Sequence, residues 1–296
     1  MPTEQIDPRY VDLDAWPTGK VITAIYEGQL EAAAAVRNAL GAITAAVDEA
    51  VPALERGGRL VYAGAGTSGR IAVQDGSELP PTFDWPPDRL VFAMAGGMDA
   101  LVRSAEGAED DEHAGAQVII DAKVGTNDVV IGIAASGTTP FTIGALRAAS
   151  AANAVTIAIA NNPGSPLLEV ARHRILAETG GEVIAGSTRM KAGTAQKIIL
   201  NLISTTIMVK MGRVYRGLMV DMRARNAKLR RRAQRIVSEI AGCSDDEAAH
   251  HLEKAAGDLK TGVLVALGLQ PNEAARLLDS HGRNLRSAIA AIKGDG

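Results

Sequence analysis

From about residue 20 to residue 55, apolar positions recur at helical spacing in an alanine-rich stretch, which predicts one long helix or two with a break near Gly41. Beyond Gly57-Gly58 the period changes. Short continuous apolar runs at 59–63, 89–93, 128–133, 154–159 and 173–176 read as buried strands. Helix-compatible runs begin at Arg70 and extend from Pro140 to about Ser150. Continuous apolar strands alternating with helices predict an α/β fold with a parallel sheet covered on both faces. Thr188 to about Met211 predicts a further long helix, with Ser187 or Thr188 as N-cap. From Ser244 onward three short helices are expected, the first opened by a capping box at Ser244-Asp245-Asp246-Glu247. Gly268 and Pro271 separate the second from the third. Residues 1–18 are polar and marked by Pro2, Pro8 and Pro17, so they predict an arm rather than a core element. The expected organisation is an arm and helical segment at 1–56, an α/β domain at 57–240 and a small helical module at 241–296.

Composition narrows the picture in a few respects. A chain of 296 residues suits one large α/β domain with a small appendage. Aromatic residues make up only 3%, so the core must be built from Ala, Val, Ile and Leu. A formal net charge of −3 offers no global basic field to attract nucleic acid. The basic run from Lys228 through Arg230, Arg231 and Arg232 reads as a solvated helix face. A lone cysteine, Cys243, permits no intrachain disulfide and no cysteine-based zinc cluster, and fits a reducing compartment. The histidines, at 113, 173, 250, 251 and 281, show no metal-ligand spacing, so no metal is expected. No basic segment followed by an apolar one opens the chain, and no stretch of about 18 uninterrupted apolar residues occurs. A cytoplasmic chain without membrane span or nucleic-acid partner is therefore expected.

Candidate chemistry lies where strands run into helices. Gly64-Ala65-Gly66-Thr67-Ser68-Gly69 follows a strand and opens a helix, so it presents free backbone N–H groups and the positive end of a helix dipole. The string matches a dinucleotide fingerprint, but no acidic residue ends the next strand to hold a ribose. The Thr67 and Ser68 hydroxyls favour a phosphate monoester instead. Ala135-Ser136-Gly137-Thr138-Thr139 repeats the hydroxyl-rich design after another strand. A third helix start, at 186–194, brings Ser187, Thr188, Arg189 and Lys191 together. Any one such loop suits an ordinary capped connection; three in one domain predict a sugar-phosphate pocket.

Carboxylates are harder to choose. Glu78 ends a helical run before Leu79-Pro80-Pro81, at an element boundary. Glu109 lies within the acidic cluster Glu106, Glu109, Asp110, Asp111 and Glu112, which alone reads as a solvated turn. Asp75 is a further candidate, and the residues alone do not select two from this set.

Several segments together resemble the N-acetylmuramic acid 6-phosphate etherases. They are Tyr62 to Arg70, Ser77 to Phe83, Glu106 to Asp110, Gly132 to Gly137, Gly186 to Lys197, and Leu218-Met219-Val220-Asp221 with Asn226 and Lys228 nearby. The resemblance runs from about residue 57 to the C-terminus and is most specific at 187–197. It implies a sugar isomerase (SIS) domain with a small helical C-terminal module, a homodimer, and neither metal nor organic cofactor. It implies cleavage of the lactyl ether of a phosphorylated amino sugar, giving N-acetylglucosamine 6-phosphate and D-lactate. By motif, Glu78 matches the proton donor and Glu109 the second active-site carboxylate. The substrate contacts expected are Gly66, Thr67, Ser68, Ser136, Gly137, Thr139, Ser187, Thr188 and Lys191. The chain departs from the family at Thr138 and Phe141, where an arginine and a tyrosine are usual, so one loop wall lacks a cation and a phenol. The chief alternative is a non-catalytic sugar-phosphate-binding regulator on the same fold, which would have no need of Glu78 and Glu109.

Overall fold

The computed structural model describes residues 1–103, 105–224 and 226–294. The chain divides into two compact units. The first comprises Met1–Ser77 and Pro87–Thr205; the second comprises Glu78–Pro86 and Thr206–Gly296. These units do not follow the boundaries expected from composition. The N-terminal helices belong to the first, and the division falls at residue 205 rather than near 240.

The first unit opens with three short 3-10 turns, at Pro2–Glu4, Pro8–Tyr10 and Leu13–Ala15. Helix α1 (Thr18–Val36) and helix α2 (Leu40–Glu55) are joined by a 3-10 turn at Arg37–Ala39, so the irregularity lies just before Gly41. On α1, Ala24, Gly28, Ala32 and Val36 are buried at four-residue spacing. Ile22, Tyr26 and Leu30, also at four-residue spacing, are 62%, 61% and 53% exposed on the opposite side of the helix. The helical stretch Thr18–Glu55 is long and apolar enough to cross a membrane by length and composition, and a third of its most apolar window is buried. Scattered polar residues break the stretch, so it contains no long uninterrupted apolar run.

Strand β1 (Leu60–Gly64) leads into α3 (Gly66–Ser77), and α4 (Leu79–Phe83) belongs to the second unit. The first unit resumes with β2 (Leu90–Met94), 3-10 turns at Met98–Leu101 and Ala108–Asp110, and α5 (Glu112–Asp121). Then come β3 (Val129–Ile133), α6 (Pro140–Ala151), β4 (Val155–Ala160), the short α7 (Pro166–Glu169) and β5 (His173–Leu176). Each expected strand is present within a residue or two. Helix α5 escaped the sequence reading because its apolar positions follow directly on an acidic cluster.

In the five-stranded sheet all four pairings are parallel, in the order β2-β1-β3-β4-β5. Strands β1, β3 and β4 are buried throughout, which explains their unbroken apolar character. The core on one face uses Val61, Ala63, Val130, Phe141, Ala145, Leu146 and Ala149. Small residues let elements approach closely. A side chain on Gly115 would strike the Phe141 carbonyl and one on Gly144 the Glu112 carbonyl, so α5 and α6 meet backbone to backbone. This is how a chain with few aromatics still fills its interior.

Helix α8 (Lys191–Lys210) begins in the first unit and ends in the second. The second unit continues with the hairpin β6 (Val214–Tyr215) and β7 (Leu218–Met219), then α9 (Ala227–Ala241). Lys228, Arg230, Arg231 and Arg232 lie on its exposed side, and Ala233, Ile236 and Val237 are buried. Helices α10 (Asp245–Lys254), α11 (Leu259–Ala266), α12 (Pro271–Ser280) and α13 (Leu285–Lys293) complete it. The capping box at Ser244 forms as expected. Among the described residues four helices follow Ser244 where three were expected. Ala256 and Gly257 take positive φ (52° and 82°), which ends α10, and the Asp258 carboxylate accepts from Thr261 N–H (2.7 Å) to start α11. Buried Lys260 donates to Asp221 and to the Arg283 carbonyl, each at 2.7 Å.

Candidate active site

In the first unit, the chain steps from β1 outward to β2 and then back across to β3 on the other side of β1. Such a reversal of strand order leaves a crevice at the carboxyl ends of the two strands involved, here β1 and β3. The loops at 64–69 and 134–139 leave those two ends. In the first, Gly69 N–H is bonded to the Ala65 carbonyl (3.0 Å), so the N–H groups of Gly66, Thr67 and Ser68 lie ahead of the first helical donor. The backbone is tightly packed at Gly64 and Gly69: a Cβ on Gly64 would lie 3.0 Å from Gly69 Cα, and one on Gly69 would lie 2.8 Å from the Gly64 carbonyl oxygen. Thr67 is half-buried and Ser68 buried.

The second loop turns at Gly137 (φ 68°), where a side chain would collide with Ser165. The Ser165 hydroxyl is itself buried without a partner. Ser136 Oγ accepts from Thr138 N–H (3.2 Å), and Thr139 is the N-cap of α6 with Pro140 in its first turn. Ser136 and Thr139 are half-buried.

The third loop passes beside the first. A Cβ on Gly193 would lie 3.7 Å from Thr67 Cγ2 and 3.4 Å from Ile71 Cδ1. Gly186 turns at φ 74°, and Ser187 and Thr188 follow, both half-buried. The start of α8 is already occupied by a protein carboxylate. Fully buried Glu182 accepts from Lys191 N–H (2.8 Å) and Ala192 N–H (2.9 Å). Burial pushes the Glu182 carboxyl above the usual range, opposed by those two hydrogen bonds. The Lys191 ammonium is also enclosed, with its side chain 4% exposed. It donates to Glu31 on α1 (2.7 Å) and to the Gly181 carbonyl (3.1 Å). Arg189 is exposed.

Glu109 sits on the 3-10 turn Ala108–Asp110, exposed, after Gly107 in a left-handed conformation (φ 73°). That turn is held near the end of β2, because Gly96 lies against Ala108. Arg70 on α3 donates to the Ala100 carbonyl (3.1 Å) and ties the same region down. Glu78 belongs to the second unit, where it is the exposed N-cap of α4 and its carbonyl accepts from Thr82 N–H (3.2 Å). Asp75 is buried. The Tyr62 hydroxyl donates to it (3.2 Å), Ser204 is a further partner, and Lys197 Nζ lies 3.8 Å away. Burial raises its carboxyl above the ordinary range despite these partners. It joins β1, α3 and α8 from within the core. Among the described residues no three His, Cys, Asp or Glu side chains gather where a metal ion could be held.

Comparison with known proteins defines what this crevice belongs to. Residues 42–150 match the family model of the glucokinase regulatory protein N-terminal SIS domain, and residues 112–205 match that of the SIS domain. A phosphoheptose isomerase from Francisella tularensis shares the fold, with a TM-score of 0.51 and 21% identity over 66% of this chain and 100% of that one. The N-acetylmuramic acid 6-phosphate etherase of Deinococcus radiodurans is 50% identical over 97% of this chain and 94% of its own. The etherase of Halalkalibacterium halodurans is 43% identical over 97% of both chains. The chain belongs to the N-acetylmuramic acid 6-phosphate etherase family. Its α/β part is a SIS domain. In this etherase-family chain the sequence reading missed Asn161, Asn162 and Gln196, which form a buried polar layer under the loops. Asn161 donates to the Ala177 carbonyl (3.0 Å), Gln196 to Asn161 (3.0 Å) and Asn162 to the Ala135 carbonyl (2.8 Å). Asn161-Asn162 looks like a strand terminator in sequence, and nothing local shows that both side chains turn inward.

Proposed function

We propose that this protein cleaves the lactyl ether of N-acetylmuramic acid 6-phosphate, releasing D-lactate and N-acetylglucosamine 6-phosphate. The observation that carries this reading is 50% identity over 97% of the chain to a protein named for that etherase. The crevice supports it through hydroxyls and open helix-start N–H groups that suit a phosphate monoester. In this reading Gly66, Thr67, Ser68, Ser136, Gly137, Thr139, Ser187 and Thr188 contact the phosphate and sugar hydroxyls. Lys191 supports the third loop from beneath by holding Glu31.

Chemically, opening the sugar ring exposes an aldehyde at C1 that acidifies the C2 hydrogen. Glu109 takes that proton as base. The C3–O bond then breaks, Glu78 protonates the departing lactate oxygen, and water adds to the unsaturated carbon. Anchoring the phosphate holds the reacting carbons in place during both transfers. No metal or organic cofactor is needed for these steps.

The protein acts in the cytoplasm as a homodimer. Helix α1 is apolar on two opposite faces. One is filled by its own unit, and Ile22, Tyr26 and Leu30 leave the other open to a second copy.

The match of residues 42–150 to a regulatory protein's domain favours one competing reading, a sugar-phosphate sensor without turnover. Incubation with N-acetylmuramic acid 6-phosphate decides between them. The etherase reading requires stoichiometric D-lactate, whereas saturable binding of the sugar without lactate would establish the sensor.

A further inference from the structure

The first residues of a chain fray unless something holds them. Here Thr3 is fully buried. Its N–H donates to Asn162 Oδ1 (3.3 Å), and Asn162 Nδ2 donates back to Thr3 Oγ1 (3.0 Å). The same Asn162 amide donates to the Ala135 carbonyl, next to Ser136, at 2.8 Å. On its other side, Thr3 accepts through its carbonyl from Gly186 N–H (3.1 Å), next to Ser187. One residue at the chain start is thus bonded into two of the three hydroxyl-rich loops.

The contact is not isolated. The Gln5 carbonyl packs against Gly181, where a Cβ would lie 3.2 Å from it. Farther along, Arg9 reaches Glu31 (3.4 Å), which in turn holds Lys191 (2.7 Å) at the start of α8. The exposed Glu4 carboxylate lies over Gly186, 2.9 Å from where a Cβ would stand. The arm therefore crosses the carboxyl side of the sheet, touching the third loop at Gly186 and reaching its Lys191 end through Glu31 on α1. The matched family models begin at residues 42 and 112, so neither includes it.

We propose that the N-terminal arm is part of the sugar-phosphate site, with Thr3 as a positioning residue that sets the spacing of the Ser136 and Ser187 loops through Asn162. The inference rests on the reading that these loops hold the phosphorylated sugar. A phosphate bound by donors from separate loops needs those donors at a fixed separation, since a displacement of about 1 Å loses the aligned hydrogen bonds. Thr3 supplies that constraint from outside the sheet. Removing its hydroxyl takes an acceptor from the buried Asn162 amide while the main-chain bond to Gly186 remains, and the cheapest relaxation is movement of the Ser136 loop that Asn162 also holds.

The test uses the full chain carrying Thr3→Val, which keeps the shape and removes the hydroxyl, beside Thr3→Ser, which keeps the hydroxyl. Lactate release is followed against N-acetylmuramic acid 6-phosphate, and binding of N-acetylglucosamine 6-phosphate by calorimetry. Thr3→Val is expected to raise KM and weaken product binding about tenfold, with kcat changed less than about threefold, and Thr3→Ser to restore both. Hydrogen exchange should quicken at 134–139 while the sheet strands stay protected. Values of KM and product affinity within twofold of the parent would overturn the proposal, as would quickened exchange spread evenly over the sheet. If the parent releases no lactate, the etherase reading fails, and the binding and exchange arms still judge the role of Thr3.

Discussion

Two carboxylates carry the proposed chemistry, and both are exposed. Glu78→Gln and Glu109→Gln keep size and remove titration. Each is expected to lower lactate release by about 10²- to 10⁴-fold, as loss of a general acid or base does. Exchange of the C2 hydrogen with deuterated solvent separates the roles. The Glu78→Gln enzyme should still exchange, and the Glu109→Gln enzyme should neither exchange nor release lactate. Because Asp110 is exposed on the same turn, Asp110→Asn belongs in the series. Exchange abolished by that change and retained in Glu109→Gln would move the base one position along.

Lys191 illustrates how a side chain's partners decide its role. A lysine beside two hydroxyls at a helix start reads as a phosphate ligand, yet its ammonium is enclosed between Glu31 and Gly181. The hydrogen bond from Lys191 is the main reason the Glu31 carboxyl falls below its ordinary value of about 4.5. A carboxyl lowered on folding stabilises the fold above its unfolded value, and that contribution disappears as pH falls through the folded value. Thermal unfolding of the parent and of Glu31→Gln should therefore differ at pH 7 and converge as pH falls below 4.5 and through the folded value. A gap that persists or widens in acid would show that the contact does not depend on the charge.

Among the elements, α1 has the clearest unfilled requirement. Its inward face of Ala24, Gly28, Ala32 and Val36 lets the helix lie close to the SIS core, while Ile22, Tyr26 and Leu30 remain in solvent. Placing a charge in the middle of that stripe should prevent a second copy from covering it. The parent is expected to sediment at twice the 30.8 kDa of one chain and Tyr26→Glu at that single mass. A monomeric parent would rule the interface out.

The division into two units carries its own expectation. In the second, Lys260 is 2% exposed, and burial pushes its ammonium below the ordinary value while Asp221 opposes the shift. Lys260→Met leaves Asp221 with Arg213 at 3.8 Å as its remaining cation. The loss is expected near the lower end of the cost of breaking a buried pair, about 3 kcal/mol. Hydrogen exchange should then rise across 206–294 and leave β1, β3 and β4 protected. Equal loss of protection in the sheet would mean that the two units unfold as one.

What the sequence determined here follows from local regularities. The period of the apolar residues placed every strand of the sheet, since a strand buried on both faces needs an unbroken apolar run. The Gly, Ser and Thr clusters marked the three loops, because helix starts near a strand end demand small residues with hydroxyls. The family was legible in contiguous blocks such as 186–197. Other features depend on residues distant in the chain and had no local signature. Strand order, and with it the crevice between β1 and β3, is a matter of which strands pair. Glu182 fills the start of α8 and Glu31 takes the Lys191 ammonium only once the helices have packed. Thr3 reads as one more polar residue in an arm with three prolines. It becomes part of the site because folding brings Asn162 and Gly186 to either side of it, and their buried polar groups require a partner that no nearby residue supplies.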